Sequence, residues 1–270
     1  MSSRFKTSIS VTVFLSWLLT LLTSSTARAK LYDQEQVALA SCAARGGTPL
    51  SKADFGARIP VKLREAHYNA VETIFENFAL RSFQLTKFKP APQAGVPPIY
   101  SPTIGRTVVP DAVDVLYHLI QQGKKVELIR YENSVFYDAK SKQGRIGLND
   151  TSKQIMGFID ALANSPAAKT TRNPRPLPRL IFMTISDSFV ADDTYTEANK
   201  RQVAIYQSVV CSIPIQNRNQ PNTVMGAPVR VNPQVYQGKG IVFSTDPSNA
   251  IPVSLNDASL LQPENLPPRL

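Results

Sequence analysis

The run Leu180–Ile185, LIFMTI, constrains the fold more than any other stretch of the chain. A near-continuous apolar strand is stable in water only when both of its faces are covered, so it belongs at the centre of a sheet carrying helices on its faces. The rest of the chain supplies candidates for those layers. Residues at helical spacing predict helices over 63–80 (Ala66, Ala70, Val71, Ile74, Phe75, Phe78) and 110–122 (Val113, Leu116, Ile120). Two more are predicted over 152–163 (Ile155, Phe158, Ile159, Leu162) and 193–210 (Tyr195, Ala198, Gln202, Ile205, Val209). Pro110 and Asp111 suit the start of the second helix and Gly123 its end. Asp150 or Thr151 suits the cap of the third.

Alternation predicts strands over 82–88, 126–131 and 135–137, with Glu132-Asn133-Ser134 as the turn between the last two. Residues 30–57 read as an irregular arm, and 89–110, with six prolines, as a loop. The expected fold is α/β (or α+β): a mixed β-sheet flanked by about four helices, with a proline-rich C-terminal tail holding short strands near 241–243 and 251–255.

The N-terminus carries an export pattern. Arg4 and Lys6 precede an uncharged apolar run, Ile9–Leu22, and Ala27-Arg28-Ala29 fits a small-x-small cleavage site. The run is shorter than the roughly 20 residues a membrane-spanning helix needs. The expected organisation is therefore a signal peptide over 1–29, a core domain over 30–211 and a C-terminal extension over 212–270 that packs on the core. A secreted or periplasmic protein with no stable membrane span after cleavage is expected. Cleavage removes three cations and no acid, so the net charge falls from +10 to +7. In an exported chain two cysteines form a disulfide by default, here Cys42 with Cys211.

Motifs of familiar chemistry are missing. There is no G-x-S-x-G, no H-E-x-x-H, no P-loop and no dinucleotide fingerprint. His67 and His118 each stand alone on a predicted helix. The densest acidic group, Asp187, Asp192, Asp193 and Glu197, follows the strongest strand, where open α/β sheets gather ligands. Asp187, Asp192 and Asp193 are the candidate metal ligands, and a divalent cation, Mg²⁺ or Ca²⁺, is the one cofactor the chain offers donors for. The competing reading makes Asp192 and Asp193 favourable charges at a helix N-terminus and Asp187 a turn cap. The basic stretch Lys169–Arg179, and the interleaved Arg81, Phe83, Lys87, Phe88 and Lys89, make nucleic acid a candidate partner. Asn149-Asp150-Thr151 matches an N-glycosylation acceptor.

Two resemblances extend this reading. The stretch 118–139, HLIQQGKKVELIRYENSVFYDA, resembles a segment of ribosome-inactivating toxin A chains, and 180–190 is similar to that family's central helix. The resemblance implies removal of adenine from ribosomal RNA. The family's strand tyrosine falls on Glu127, however, and its glutamate and arginine fall on Asp187 and Val190, or on Glu197 and Lys200. The order of elements also resembles von Willebrand A-type domains, with Asp187 at the place of their loop aspartate, which implies metal-dependent adhesion. Their D-x-S-x-S motif is absent. With no catalytic motif in hand, the leading expectation is an exported binding or interaction protein with a macromolecular partner. A secreted toxin-like enzyme and an adhesion module are the alternatives.

Overall fold

The structure is a computed structural model that describes residues 39, 42–43, 46–122, 124–172, 175–214, 222–232 and 250–262. All belong to the unit Ala38–Leu270. The export pattern at 1–29 and the strand expected at 241–243 lie outside the described residues.

Strand β1 is Thr48–Pro49, followed by helices α1 (Lys52–Arg58), α2 (Val61–Arg64) and α3 (Ala70–Ser82). Next come β2 (Ile99–Ser101), β3 (Arg106–Val108), β4 (Ala112–Gln122), β5 (Lys125–Lys140) and β6 (Gly144–Ile146). Helices α4 (Asp150–Ala163) and α5 (Pro166–Lys169) precede β7 (Arg179–Thr184), β8 (Ser188–Val190) and α6 (Asp192–Lys200). The chain continues with β9 (Ala204–Ile213), β10 (Asn222–Met225), β11 (Val229–Arg230) and a 3₁₀ turn, Ala258–Leu261.

The main sheet runs β1-β9-β7-β5-β4, with β10 and β11 also on β9. The inner strands β5, β7 and β9 are parallel, while β4, β1, β10 and β11 join antiparallel. This is the expected mixed α/β class. Strand β7 lies between β5 and β9, and all six of its residues are buried, as a central strand requires. Neighbouring β5 shows that both faces are covered. Tyr137 packs toward Phe83 at the end of α3, and Phe136 meets Phe158 of α4 edge-on, ring centroids 6.1 Å apart. Successive strand residues point to opposite faces, so α3 and α4 lie on opposite sides of the sheet.

Several expected elements differ. Residues 110–122 are not a helix but strand β4. Their apolar residues suit both periods, and the β-branched and aromatic content, with Leu116, His118 and Ile120 buried in alternation, decides for the strand. The helix expected over 193–210 stops at Lys200, where Gln202 takes a left-handed φ of 58°, and 204–213 continues as β9. The first helix is broken at 65–69 into α2 and α3. The strand expected at 82–88 is the end of α3, a turn in which Gln84 has φ 55°, and a segment that belongs to no sheet among the described residues. The turn at 132–134 is a bulge inside one long strand: Asp114 pairs with Val135 but Leu116 with Tyr131, and Asn133 has φ 52°. The irregular arm contains α1, whose Ser51 side chain accepts from Asp54 N at 3.1 Å. In the tail, 251–255 makes a single bridge, Thr223 with Val253.

At the start of α4, Thr151, Ser152 and Lys153 turn left-handed, and the right-handed helix begins only at Gln154. Asp150 acts there through its side chain, accepting from Gly147 N and Lys142 Nζ. Cys42 and Cys211 stand at disulfide distance, Cα atoms 5.7 Å apart, and join the N-terminal arm to β9.

Candidate functional site

The expected acidic cluster after β7 is dispersed in space. Asp187 Oδ1 accepts from the backbone N of Lys52, 3.0 Å away, at the start of α1. Asp193 pairs with Arg145 at 2.6 Å, Asp192 is exposed in the first turn of α6, and Glu197 is ion-paired with Arg201. Among the described residues, no three of His, Cys, Asp and Glu are grouped to hold a metal ion. His67 is exposed before α3. His118 is buried on β4 beside Tyr131 with neither ring nitrogen hydrogen-bonded among the described residues, and burial, with Arg172 nearby, holds its pKa below the usual value. Four of the basic groups singled out in the sequence have internal partners. Arg81 pairs with Asp257, Lys87 with Glu76, Arg172 with Glu127 at 3.1 Å, and Arg179 lies over the Tyr206 ring.

A different cluster assembles at the carboxyl end of β5. Asp138 and Lys140 share one face of the strand, with Asp138 Oδ1 2.9 Å from Lys140 Nζ. Asp138 is only 1 % exposed, and its Oδ2 has no hydrogen-bond partner among the described residues. Asp111, just before β4, reaches the same place because the hairpin returns the chain beside it: its Oδ2 accepts from Ala139 N at 2.6 Å. Glu76 approaches from α3, held by Lys87.

Four ionisable groups this close, Asp138 buried and the others partly so, shift one another. Burial, then the neighbouring charges of Asp138 and Glu76, push the Asp111 carboxyl up to about 8. Burial raises Asp138 as well, against the opposing pull of Lys140. Lys140 would be lowered by its own burial, but Asp138, Asp111 and Glu76 outweigh that and hold it above the usual lysine value. At neutral pH the cluster therefore contains a charged lysine and a protonated aspartic acid. It lies beneath a cleft of about 550 Å³ lined by Lys52, Glu72, Glu76, Lys140 and Lys142. Lys52 is bound to Glu72 and Lys142 to Asp150, so the wall charges are mutually neutralised. The sequence offered one signal for this cluster: in VFYDAK a carboxylate and a lysine, two residues apart, fall on the inward face of a strand.

The other feature with a chemical consequence is the β4–β5 hairpin. Residues paired across it share a face. Leu116, His118 and Ile120, opposite Tyr131, Ile129 and Glu127, form the inner face. The segment after α5 crosses beneath it, through Thr170 on Tyr131 and Arg172 on Glu127. The outer face holds Tyr117 and Leu119 opposite Arg130 and Leu128, and Val126 follows toward the tip. Val126 is 61 % and Leu128 57 % exposed. Arg130 lies over the Tyr117 ring at 5.6 Å and pairs with Glu132. Among the described residues β4 has β5 as its only strand partner.

Comparison with known proteins returns no match: no family model, no curated protein and no solved structure is similar to this chain.

Proposed function

We propose that this is an exported binding protein that engages its partner through the outer face and open edge of the β4–β5 hairpin. The observation that carries this reading is the unguarded edge. Proteins protect exposed strand edges with lysine, proline or short length. Strand β4 spans eleven residues, and Val115–Gln122 holds no charged residue and no proline, beside an exposed apolar row of Val126 and Leu128. An edge of this kind adds a partner strand through main-chain hydrogen bonds, and the apolar row supplies selectivity. Export is supported by the Arg4–Ala29 pattern and by the Cys42–Cys211 pairing.

The test compares the wild-type chain with a Val126→Lys, Leu128→Lys double variant of unchanged circular dichroism. Partners retained by the first and lost by the second support the reading, provided the hairpin amides gain protection when the partner binds. Release of adenine from ribosomes by the oxidised chain would overturn it in favour of an enzyme.

A further inference from the structure

We infer that the hairpin's partner is a second copy of this chain, paired antiparallel along β4 about a two-fold axis at Leu119; this rests on the binding role proposed for the same hairpin. Gln122 pairs with Lys125 across a two-residue link, which makes them a pair exchanging both hydrogen bonds. Alternation then turns the N–H and C=O groups of Leu116, His118 and Ile120 toward β5, and those of Tyr117, Leu119 and residue 121 toward the open edge.

The open stretch has a definite length. Toward its N-terminal end β4 borders a groove of about 570 Å³ whose lining includes Phe88, Lys89, Val96, Val113, Asp114 and Glu132. Beyond that groove no described strand pairs with the edge from Leu116 to Gln122, and the midpoint of that stretch is Leu119. Antiparallel pairing about this midpoint sets Leu119 against Leu119 of the other copy and Tyr117 against residue 121. No like charges face each other. On the outer face, a row Leu128–Leu119–Leu119–Leu128 forms across four strands about 4.8 Å apart.

Charge supports the same register. Each hairpin tip carries Lys124 and Lys125, and neither is ion-paired among the described residues. Pairing about Leu119 carries that tip past residue 116 of the other copy to Asp114 at the mouth of the groove. The Asp114 carboxylate accepts a hydrogen bond from its neighbour Val115 N and is in no ion pair among the described residues; Lys87, which is held by Glu76, and Lys89 line the same groove. An unpaired basic tip thus meets an unpaired acid twice, once on each side of the axis. A pairing of this length belongs to the small class of interfaces, below about 1,200 Å² in total, which weak and transient encounters occupy.

Sedimentation velocity of the oxidised full chain, from micromolar to several hundred micromolar, should show reversible dimers. Leu119→Lys places like charges on the axis and should weaken association at least about tenfold. Lys124→Glu with Lys125→Glu should weaken it, and adding Asp114→Lys should restore it. A Leu119→Cys chain should join to itself through a short thiol-specific cross-linker, whereas Leu128→Cys, three strand spacings from its copy, should not. A chain that stays monomeric to several hundred micromolar overturns the second copy, and so does cross-linking at 128 in place of 119. Amide exchange in the dilute monomer separates this failure from that of the broader reading. Fast exchange at Tyr117 and Leu119 leaves the edge open for a different partner, while slow exchange there means the chain covers its own edge and both readings fall.

Discussion

Replacing Asp111 by asparagine should make the protein less sensitive to rising pH, because the folded state holds a proton on this carboxyl that the unfolded state releases. The Asp111 pKa is near 8 in the folded chain against an ordinary value of 3.8. Below the lower value both states are protonated and the group makes no difference. Between the two, the unfolded chain ionises and the folded chain does not, so stability falls by up to about 1.4 kcal/mol per pH unit. From pH 5 to pH 7 the ceiling is about 3 kcal/mol. Charge sharing with Asp138 and Lys140 lowers the figure, and about 1–3 kcal/mol is expected. The substituted amide keeps an oxygen for Ala139 N and has no proton to lose. The assay is urea unfolding of both chains at pH 5 and pH 7. The stability of the variant relative to wild type should rise by that amount between the two pH values, whatever offset the substitution brings at pH 5. A constant difference, or one that shrinks, would refute the cluster described at the end of β5.

Asp160 provides the opposite sign. Its burial would raise the pKa, but hydrogen bonds from Ser101, Thr103 N and Thr103 Oγ1, with Arg201 at 2.7 Å, hold it below the usual carboxylate range. Its contribution is present above the unfolded pKa and lost as pH falls through the folded value. Asp160→Ala should cost about 3–5 kcal/mol by urea unfolding at pH 7, and less at acid pH. In α4 a Cβ on Gly157 would come within 2.5 Å of Val108 Cγ1 and 2.7 Å of Ile104 Cδ1, so Gly157→Ala should destabilise by about 1–3 kcal/mol despite the better helix former. Reducing Cys42–Cys211, which closes a separation of 169 residues, should lower stability by about 4–5 kcal/mol if chain entropy dominates, read as a shift in the urea midpoint.

The parts of the fold legible in the sequence are those where one period stood alone. Leu180–Ile185 could only be a doubly covered strand, and Ile155, Phe158, Ile159 and Leu162 mark a helix with one apolar stripe. Strand β4 was hidden because both of its faces are apolar: Tyr117 and Leu119 outside erase the alternation of Leu116, His118 and Ile120 inside. The property that blurred the pattern is the one on which the proposed binding surface rests. Strand β9 was hidden because nearly all of its residues are buried and the helix before it ends at Gln202, a left-handed position without the usual glycine. The acid cluster needed three dimensions. Asp111 read as a helix cap, and only the hairpin sets it beside Ala139, 28 residues on.

Amide hydrogen exchange along 115–122 in the dilute, oxidised chain tests the open-edge account most directly. With β4 an edge strand, Tyr117, Leu119 and Gln121 should exchange quickly, and Leu116, His118 and Ile120, bonded to β5, should exchange slowly. Uniform protection along the stretch would mean a helix or a covered strand, and the hairpin would lose its place as the binding surface.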